Sequence, residues 1–407
     1  MKEIRRIFNI DKKKKRKEVV SFNIYEVIII TIAFAVVSSL TTGFVVNHFT
    51  KVQILDNPNL SDITETYQMI MDEYYEEVDE KGLANAAIDG MFDFLNENYS
   101  IHLNNDATTD LEDKLKGYYD GIGIEIGKNT SGVVVTRVFD GTPASEAGIK
   151  AGDYLIDVEG TEINASSVLE DVTTLIKGKK EIVVTVKRDK EKKSFIVNIK
   201  TIEIPVVSTN IYEKNDSKIG YLYLETFSSN AANQVNNALK SLEKDNVDSL
   251  IIDLRGNTGG YLTVTTDIAK LFLKEGSTIY SLETKNEKEV VKDNTKEYRT
   301  IPIVVLINNG TASASEILAA ALRDSYGAII VGTKSYGKGK VQQTSKLSDD
   351  TLVKYTTAKW FTPNGDSIDG IGLEPSITVE IGSDYYKYLT DEYDNQLQKA
   401  LDVLASN

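Results

Sequence analysis

The chain has 407 residues and not one cysteine, which excludes disulfide staples, thiolate zinc sites, iron–sulfur clusters and a cysteine nucleophile. Histidine is almost as scarce. With only His48 and His102 present, a histidine-rich metal cluster is impossible, and any Ser-His-Asp triad has to use one of these two. Prolines number 6, and hydrophobic residues reach 41%, so a chain of this composition buries a core and wholesale disorder is excluded. Its length predicts two to four domains at roughly 100–200 residues each.

Positive charge is in excess over acid only at one end. Residues 1–46 carry nine Lys/Arg and four acids, whereas the whole chain has a net charge of −15. An acidic body repels phosphate backbones, so nucleic-acid binding is not expected. Only one long uncharged run exists, residues 27–50, and its first 20 residues read VIIITIAFAVVSSLTTGFVV. As a helix those residues span roughly 30 Å, about one hydrocarbon core. The run exceeds a signal-peptide core and no convincing A-x-A cleavage site follows, which favours an uncleaved anchor over a cleaved signal peptide. The basic cluster KKKKRK on its N-terminal side places the N-terminus in the cytoplasm and the acidic bulk outside. The predicted layout is a basic head at 1–24, a transmembrane anchor at 25–48 and a helical region at 49–113.

Apolar spacing predicts two helices within 60–100, one through Ile63, Tyr67, Ile70 and Tyr74, the other through Leu83, Ala87, Met91 and Leu95. His102 follows and reads as a structural or surface histidine. From 114 to 204 the pattern changes to short β-branched runs at 132–139, 154–158, 182–187 and 195–204. Two short helices lie between them, one opened by Thr142-Pro143 and closed by Gly148, the other ended by Gly178. Residues 205–380 alternate strand and helix, with strands at 219–224, 249–254, 301–307 and 328–331. This is the pattern of an open α/β sheet, in which sites form beyond the carboxyl ends of strands. The tail, 385–404, reads as one more helix.

Three loops fall at those strand ends. Residues 308–316, NNGTASASE, place Ser313 at a helix start. Ser313-x-x-Glu316 is a capping box, which needs no catalytic role, yet a nucleophile there would gain the unpaired amides and positive potential of the helix N-terminus. Residues 255–261, RGNTGGY, carry paired glycines whose amides can face a phosphate, a carboxylate or an oxyanion, or else make a plain turn. Residues 332–339, GTKSYGKG, begin like a Walker A loop. Gly339 stands where Ser or Thr should hold magnesium, however, and a strand rather than a helix follows, so the nucleotide reading fails. What remains is a serine, a set of amides and a lysine. Ser–Lys is an alternative to Ser–His, and a buried Lys338 could be neutral near pH 7. Gln342, four residues on, would share a strand face with Lys338 and could orient its amine. The short Ser241-x-x-Lys244 sits at a polar helix end and reads as solvated.

These motifs together resemble the C-terminal processing (tail-specific) serine protease family. The residues that carry the resemblance are GIGIEI at 121–126, DLRGNTGG at 253–260, GTASASEI at 310–317, YGKGKVQ at 336–342, FTPNG at 361–365 and DNQLQKA at 394–400. The resemblance implies a ClpP/crotonase-like α/β protease core with an inserted PDZ domain, to which the N- and C-terminal helical segments and the one N-terminal transmembrane helix read above are added. It implies Ser313 as nucleophile, Lys338 as general base, Gln342 as its positioner, and Gly260 and Ala314 as oxyanion donors, with Gly259 second to Gly260. A peptide would bind at Gly121, Ile122, Gly123 and Ile124, where glycine-loop amides hold a terminal carboxylate and a strand accepts the chain by β-addition. The implied partners are proteins with apolar C-terminal tails and a second copy of the chain, with no metal or cofactor. Two features depart from the family pattern: Arg255-Gly-Asn-Thr stands for Arg-Asn-Asn-Pro, and Lys177-Gly178 for Arg-Gly. The alternative is a tail-binding scaffold with an inert protease fold.

Overall fold

The computed structural model describes residues 57–406, so the expected basic head and the anchor at 25–48 lie outside the described residues. Among those described, no helix is long and apolar enough to cross a membrane. The chain divides into two compact units, residues 1–90 and 91–407.

The helices expected within 60–100 form at Pro58–Glu73 and Glu80–Leu95. Asn57 caps the first by accepting the Asn59 N–H at 3.0 Å, with Pro58 in the first turn, where its missing N–H costs nothing. Neither helix buries a residue: Ile63, Met69, Met91 and Phe94 are all exposed, Phe94 at 88%. The apolar spacing therefore made helices without giving them a core within one chain.

In the larger unit, the module at 121–199 is a six-stranded sheet in the order Ile124–Asn129, Gly132–Val138, Tyr154–Val158, Glu181–Arg188, Glu191–Asn198, with Thr161–Glu162 also paired to Tyr154–Val158. Its two helices are Pro143–Ala147 and Leu169–Thr174, closed near left-handed Gly148 and Gly178. The run at 195–204 is not one strand. It breaks at Ile199, and Lys200–Glu203 turns away to pair antiparallel with Tyr118–Gly121, Gly121 opposite Lys200. This two-stranded stem carries the module. Asn230, at the start of the core helix Ala231–Lys244, ties the base of the stem together: its side-chain amide donates to the carbonyls of Gly117 and Ile204 at 2.9 and 3.2 Å.

The core sheet has six strands, ordered Val207–Lys214, Ser217–Leu224, Ser249–Asp253, Ile303–Ile307, Ile329–Gly332, Ile377–Thr378, parallel except for the first pair. Strand Ser249–Asp253 is buried at every position, as expected of a strand covered on both faces. Leu250 and Ile252 pack with Leu239, Ile317 and Leu318 on one face, and Ile251 with Leu397, Leu401 and Leu404 on the other. At roughly 1.5–3 kcal/mol for each large apolar side chain, these two faces dominate the core's stability. A second, antiparallel sheet, which the sequence pattern did not reveal, joins Ile101–Leu103, Leu352–Phe361, Thr278–Thr284 and Lys288–Lys292, with Lys340–Lys346 also paired to Leu352–Phe361.

The tail is likewise not one helix. A short helix, Ser383–Tyr388, ends at left-handed Leu389, a 3-10 turn spans Asp391–Tyr393, and the helix Asn395–Ala405 starts at Asp394, which accepts the Leu397 N–H at 3.0 Å. Asp394 also binds Arg255, whose guanidinium grips Asp253 at the end of the central strand. Asp253 and Asp394 are 2% and 4% exposed in their side chains, and their two charges hold the Arg255 guanidinium firmly protonated against its own burial. Removing one partner of such a buried set leaves uncompensated charge, at a cost of about 3–5 kcal/mol. Arg255→Met is therefore expected to lower the unfolding midpoint of the core and to expose residues 391–405 to limited proteolysis; an unchanged midpoint and digestion pattern would refute this.

Candidate active site

The helix Ala314–Ala321 is buried at all eight positions, because alanine-rich faces let it lie inside the core on every side. Its one charged residue is Glu316, 0% exposed. An isolated buried carboxylate is costly, so it must be well bonded. It accepts four hydrogen bonds: from the Ser313 N–H at 2.7 Å, the Ser335 hydroxyl at 2.5 Å, and the N–H groups of Gly337 and Lys338 at 2.7 and 2.9 Å. The bonds from Ser313 and Lys338 end on the same oxygen, Oε2. Two residues 25 apart in sequence thus have their amides within two hydrogen-bond lengths of each other. Glu316 does more than the capping role readable from Ser-x-x-Glu: it joins the serine loop to the lysine loop.

Ser313 is half-buried, with φ +57° and ψ −118°. A non-glycine residue held there stores roughly 1–3 kcal/mol of strain, maintained only because the surroundings fix it. Those surroundings are explicit. Thr311 donates its hydroxyl to the Leu254 carbonyl at 2.8 Å, the Ala312 N–H reaches the Asn257 carbonyl at 3.0 Å, and Ser315 donates to the same carbonyl at 2.9 Å. Asn308 Oδ1 accepts the Gly256 and Gly310 amides, so the serine loop and the glycine loop are laced together. The Thr311 carbonyl accepts the Tyr336 N–H at 3.0 Å, bringing in the third loop.

The two glycines differ. Gly259 is buried and its N–H is committed to Asn257 Oδ1 at 2.9 Å; a Cβ there would lie 3.1 Å from both the Ala314 nitrogen and the Ser313 Cβ. Gly260 is exposed, and a Cβ on it would meet the Phe227 carbonyl oxygen at 2.4 Å. Gly260 bridges Phe227 in parallel fashion, so the bonds run from the Phe227 N–H to the Gly259 carbonyl and from the Tyr261 N–H to the Phe227 carbonyl. That pattern directs Gly260's own N–H away from Phe227. Ala314 opens the helix, so its N–H is one of the first-turn donors with no intrahelical acceptor.

Lys338 is pinned at both ends of its peptide unit, by Glu316 at the N–H and by the Trp360 indole, which donates to its carbonyl at 2.8 Å. Burial, and then the Lys354 ammonium, pull its amine below the ordinary lysine value, while Glu97 and Glu316 act the other way. Its Nζ lies 5.0 Å from the ring centre of Tyr99.

Gln342 departs from expectation. Lys338 precedes the strand, which begins at Lys340, and a register shift falls between Val341 and Gln342, so the even-offset argument for a shared face does not apply. The Gln342 amide nitrogen donates to Thr356 Oγ1 at 3.3 Å, and that hydroxyl donates to Glu97 at 2.9 Å. Tyr99 and Trp360 thus contact the lysine, Glu97 acts on its charge and Thr356 links Glu97 to Gln342, and none of the four was singled out from the sequence. The only hint was the cluster Asn96-Glu-Asn-Tyr-Ser100 following a helix, together with the chain's single tryptophan. His102 pairs with Thr351 at 2.9 Å and plays the structural part expected of it.

In the small module, Gly121, Ile122 and Gly123 are buried and Ile124 is half-buried at the start of an edge strand. The carbonyls of Ile122 and Gly123 are taken by the N–H groups of Ala144 and Phe139 at 2.9 and 3.0 Å. The buried Tyr119 hydroxyl sits beside the N–H groups of Gly123 and Ile124, with no close hydrogen bond among the described residues. Among those residues, no group of His, Asp or Glu could hold a metal ion.

Comparison with known proteins matches residues 218–379 to peptidase family S41, 121–199 to the PDZ domain, and 41–107 to the activating protease CtpB N-terminal domain. A probable CtpA-like serine protease of Staphylococcus aureus (strain N315) is 33% identical over 355 residues, covering 86% of this chain and 71% of that protein. The carboxy-terminal processing protease CtpA of Bacillus subtilis (strain 168) is 34% identical over 364 residues, covering 88% and 78% respectively. A solved photosystem II D1 C-terminal processing protease is 27% identical, with 78% of this chain and 86% of that one covered and a TM-score of 0.47.

Replacing the Glu316 carboxylate leaves buried N–H and O–H donors unpaired, each costing about 1–3 kcal/mol. Glu316→Ala is expected to destabilise the core by several kcal/mol in denaturant unfolding, and Glu316→Gln, which keeps one acceptor oxygen, by less. Equal stability of Glu316→Ala and the unaltered protein would show that the four bonds carry no net energy.

Proposed function

Because this chain belongs to the C-terminal processing serine proteases of peptidase family S41, we propose that it is a membrane-anchored endopeptidase that captures apolar C-terminal tails and cleaves them with Ser313 and Lys338. The observation that carries this reading is the shared Glu316 oxygen, which holds the two backbone segments side by side.

In the proposed reaction, Ser313 Oγ attacks the scissile carbonyl carbon while its proton passes to the neutral Lys338 amine. The carbonyl electron pair becomes an oxyanion facing the N–H groups of Gly260 and Ala314. Such donors act at full strength because they are fixed before the charge develops. Gly260 suits this role better than Gly259, whose amide is already bonded. Collapse expels the amine, which takes the proton back from Lys338, and leaves an acyl-serine. Water then attacks it, with Lys338 again as base. A lysine can serve because burial lowers its proton affinity. Cleavage should therefore rise with pH as the ammonium is lost, with its midpoint below the ordinary lysine value.

The PDZ module supplies the tail-binding site in this reading. Strand Ile124–Asn129 is an edge of its sheet and can accept an extended peptide. A terminal carboxylate would take the place that the unsatisfied Tyr119 hydroxyl now occupies at the Gly123 and Ile124 amides. The uncharged run at 27–50 supports an anchor, with the basic head in the cytoplasm and the catalytic body outside it. The exposed apolar side chains of the N-terminal helices support a homodimer. An inert scaffold would have to lack the serine or the lysine, and both are present.

The deciding experiment uses fluorescein-labelled β-casein fused at its C-terminus either to an apolar tail (Val-Ala-Ala) or to an acidic one (Asp-Asp-Asp). The apolar-tailed fusion is expected to be cleaved faster, and Ser313→Ala to abolish cleavage of both. Full turnover by Ser313→Ala would overturn the nucleophile, and indifference to the tail would overturn PDZ capture while leaving the nucleophile standing.

A further inference from the structure

The turn between the helix Glu80–Leu95 and the strand Ile101–Leu103 belongs to none of the three loops at the sheet mouth, yet its side chains meet the lysine. The Tyr99 ring lies against two amines, with Lys338 Nζ 5.0 Å and Lys340 Nζ 5.7 Å from its centre. Glu97 is largely buried and highly connected. Its carboxylate accepts the Ser100 hydroxyl at 2.6 Å, the Thr356 hydroxyl at 2.9 Å and the Tyr99 N–H at 3.3 Å, and pairs with Lys340 at 3.4 Å. Burial works to raise the Glu97 carboxyl, but these bonds and the Lys340 charge outweigh it and hold the group below its usual range. Ser100 in turn accepts the Thr356 N–H at 3.0 Å, and Thr356 accepts the Gln342 amide. The turn is fixed beyond it by antiparallel pairing of Ile101 opposite Lys354.

We propose that Tyr99 and Glu97 are positioning residues for the lysine base, Tyr99 seating its amine on the ring face and Glu97 holding Tyr99, Thr356 and Gln342 in place around it. The inference rests on Lys338 acting as base, as proposed above. The physical need is specific. A neutral amine in a half-buried site must become an ammonium when it takes the serine proton, and burial reduces the solvation that would stabilise that charge. An aromatic face attracts an ammonium but has little hold on a neutral amine, so the ring favours the state after proton transfer over the state before it. The side chain also keeps its direction, which matters because small displacements of a reacting group cost large factors in rate. The ring itself is kept in the un-ionised form that this role requires. Burial and a hydrogen bond with Tyr336 push the Tyr99 phenol up to about 12.

The charged and titratable groups around Lys338 set the sign of the pH response. Lys354, across the strand pair, disfavours the ammonium, while Glu97 and Glu316 favour it. Lys340 lies on the same ring, and Tyr336 and Asp369 face Tyr99. Removing the Glu97 charge both withdraws a favourable partner and leaves the Lys340 charge uncompensated beside Lys338. Both changes lower the affinity of Lys338 for its proton, so the acid limb of kcat/KM must move to lower pH.

The test compares full-length Tyr99→Leu, Tyr99→Phe, Glu97→Gln and Lys338→Ala in steady-state cleavage of the apolar-tailed casein across pH, with thermal unfolding of each to confirm folding. Tyr99→Leu is expected to lose about tenfold or more in kcat with little change in KM. Tyr99→Phe, which keeps the ring face, should retain most of it, and Glu97→Gln should shift the acid limb to lower pH. Equal losses in Tyr99→Leu and Tyr99→Phe, an unaltered kcat in Tyr99→Leu, or an unmoved limb in Glu97→Gln would overturn the proposal. Should Tyr99→Leu fail to fold, the Glu97→Gln profile decides alone. Persistent activity in Lys338→Ala would overturn the base assignment itself, and this inference with it, whereas its loss beside an unaffected Tyr99→Leu would overturn the inference alone.

Discussion

One buried carboxylate organises the catalytic end of this protein. Glu316 sits on the helix that begins at Ser313, is sealed from water, and accepts four hydrogen bonds, two of them from backbone amides of the lysine loop. A carboxylate in that position has no neutral substitute. An apolar side chain would leave the donors unpaired, and an amide would turn donors toward donors. The parallel sheet and the antiparallel sheet are separate constructions, one carrying the serine and the other leading away from the lysine. Glu316 ties their junction, bonding the start of the serine's helix to the lysine loop. Trp360 closes the other side of the lysine's peptide unit, so the backbone of Lys338 is clamped between the two layers.

The electrostatics follow from that clamp. Holding the lysine backbone near a buried helix start forces its side chain into partial burial, and burial lowers its proton affinity. Left alone, burial would also make the ammonium formed during catalysis expensive. The opposing influences of Glu97 and Glu316 and the ring of Tyr99 limit that cost. Lys338 is thus set between opposing influences, burial and Lys354 disfavouring its ammonium and Glu97 and Glu316 favouring it. Under the proposed mechanism, that balance is what a general base needs. The strained φ of Ser313 belongs to the same construction: the lacing through Asn257, Asn308 and Thr311 holds it.

What the sequence disclosed, it disclosed through local chemistry. Helices at Pro58–Glu73 and Glu80–Leu95, the buried strands at Ser249–Asp253 and Ile303–Ile307, and the three loops at strand ends all follow from periodicity, caps and glycine placement, which are short-range properties. Of the antiparallel sheet only the strand after Gly339 was legible; Leu352–Phe361, which pairs with it, alternates weakly, and its other partners lie more than 70 and about 250 residues away. The tail was misread as one helix because its aromatic spacing continues through Leu389, where the backbone turns left-handed. In the site, Glu316 was visible only as a helix cap. Its bonds to Ser335, Gly337 and Lys338 depend on a loop 20 residues away, which no local pattern encodes. Gln342 was placed by counting along an ideal strand, and the register shift at Val341 defeats the count.

Glu97 and Tyr99 bring a further segment of the chain against Lys338. The turn that carries them begins where the helix Glu80–Leu95 ends and leads directly into a strand paired beside Lys354. The Glu97–Thr356 contact and the pairing of Ile101 opposite Lys354 join this turn to the antiparallel sheet. The serine's loop is instead bonded into the mouth of the parallel sheet, and its helix is buried throughout. The two residues proposed as nucleophile and base thus differ in how they are held: Ser313 heads a helix buried at every position, whereas the Lys338 amine lies against the Tyr99 ring, on a turn that follows a helix with exposed apolar residues at Met91 and Phe94.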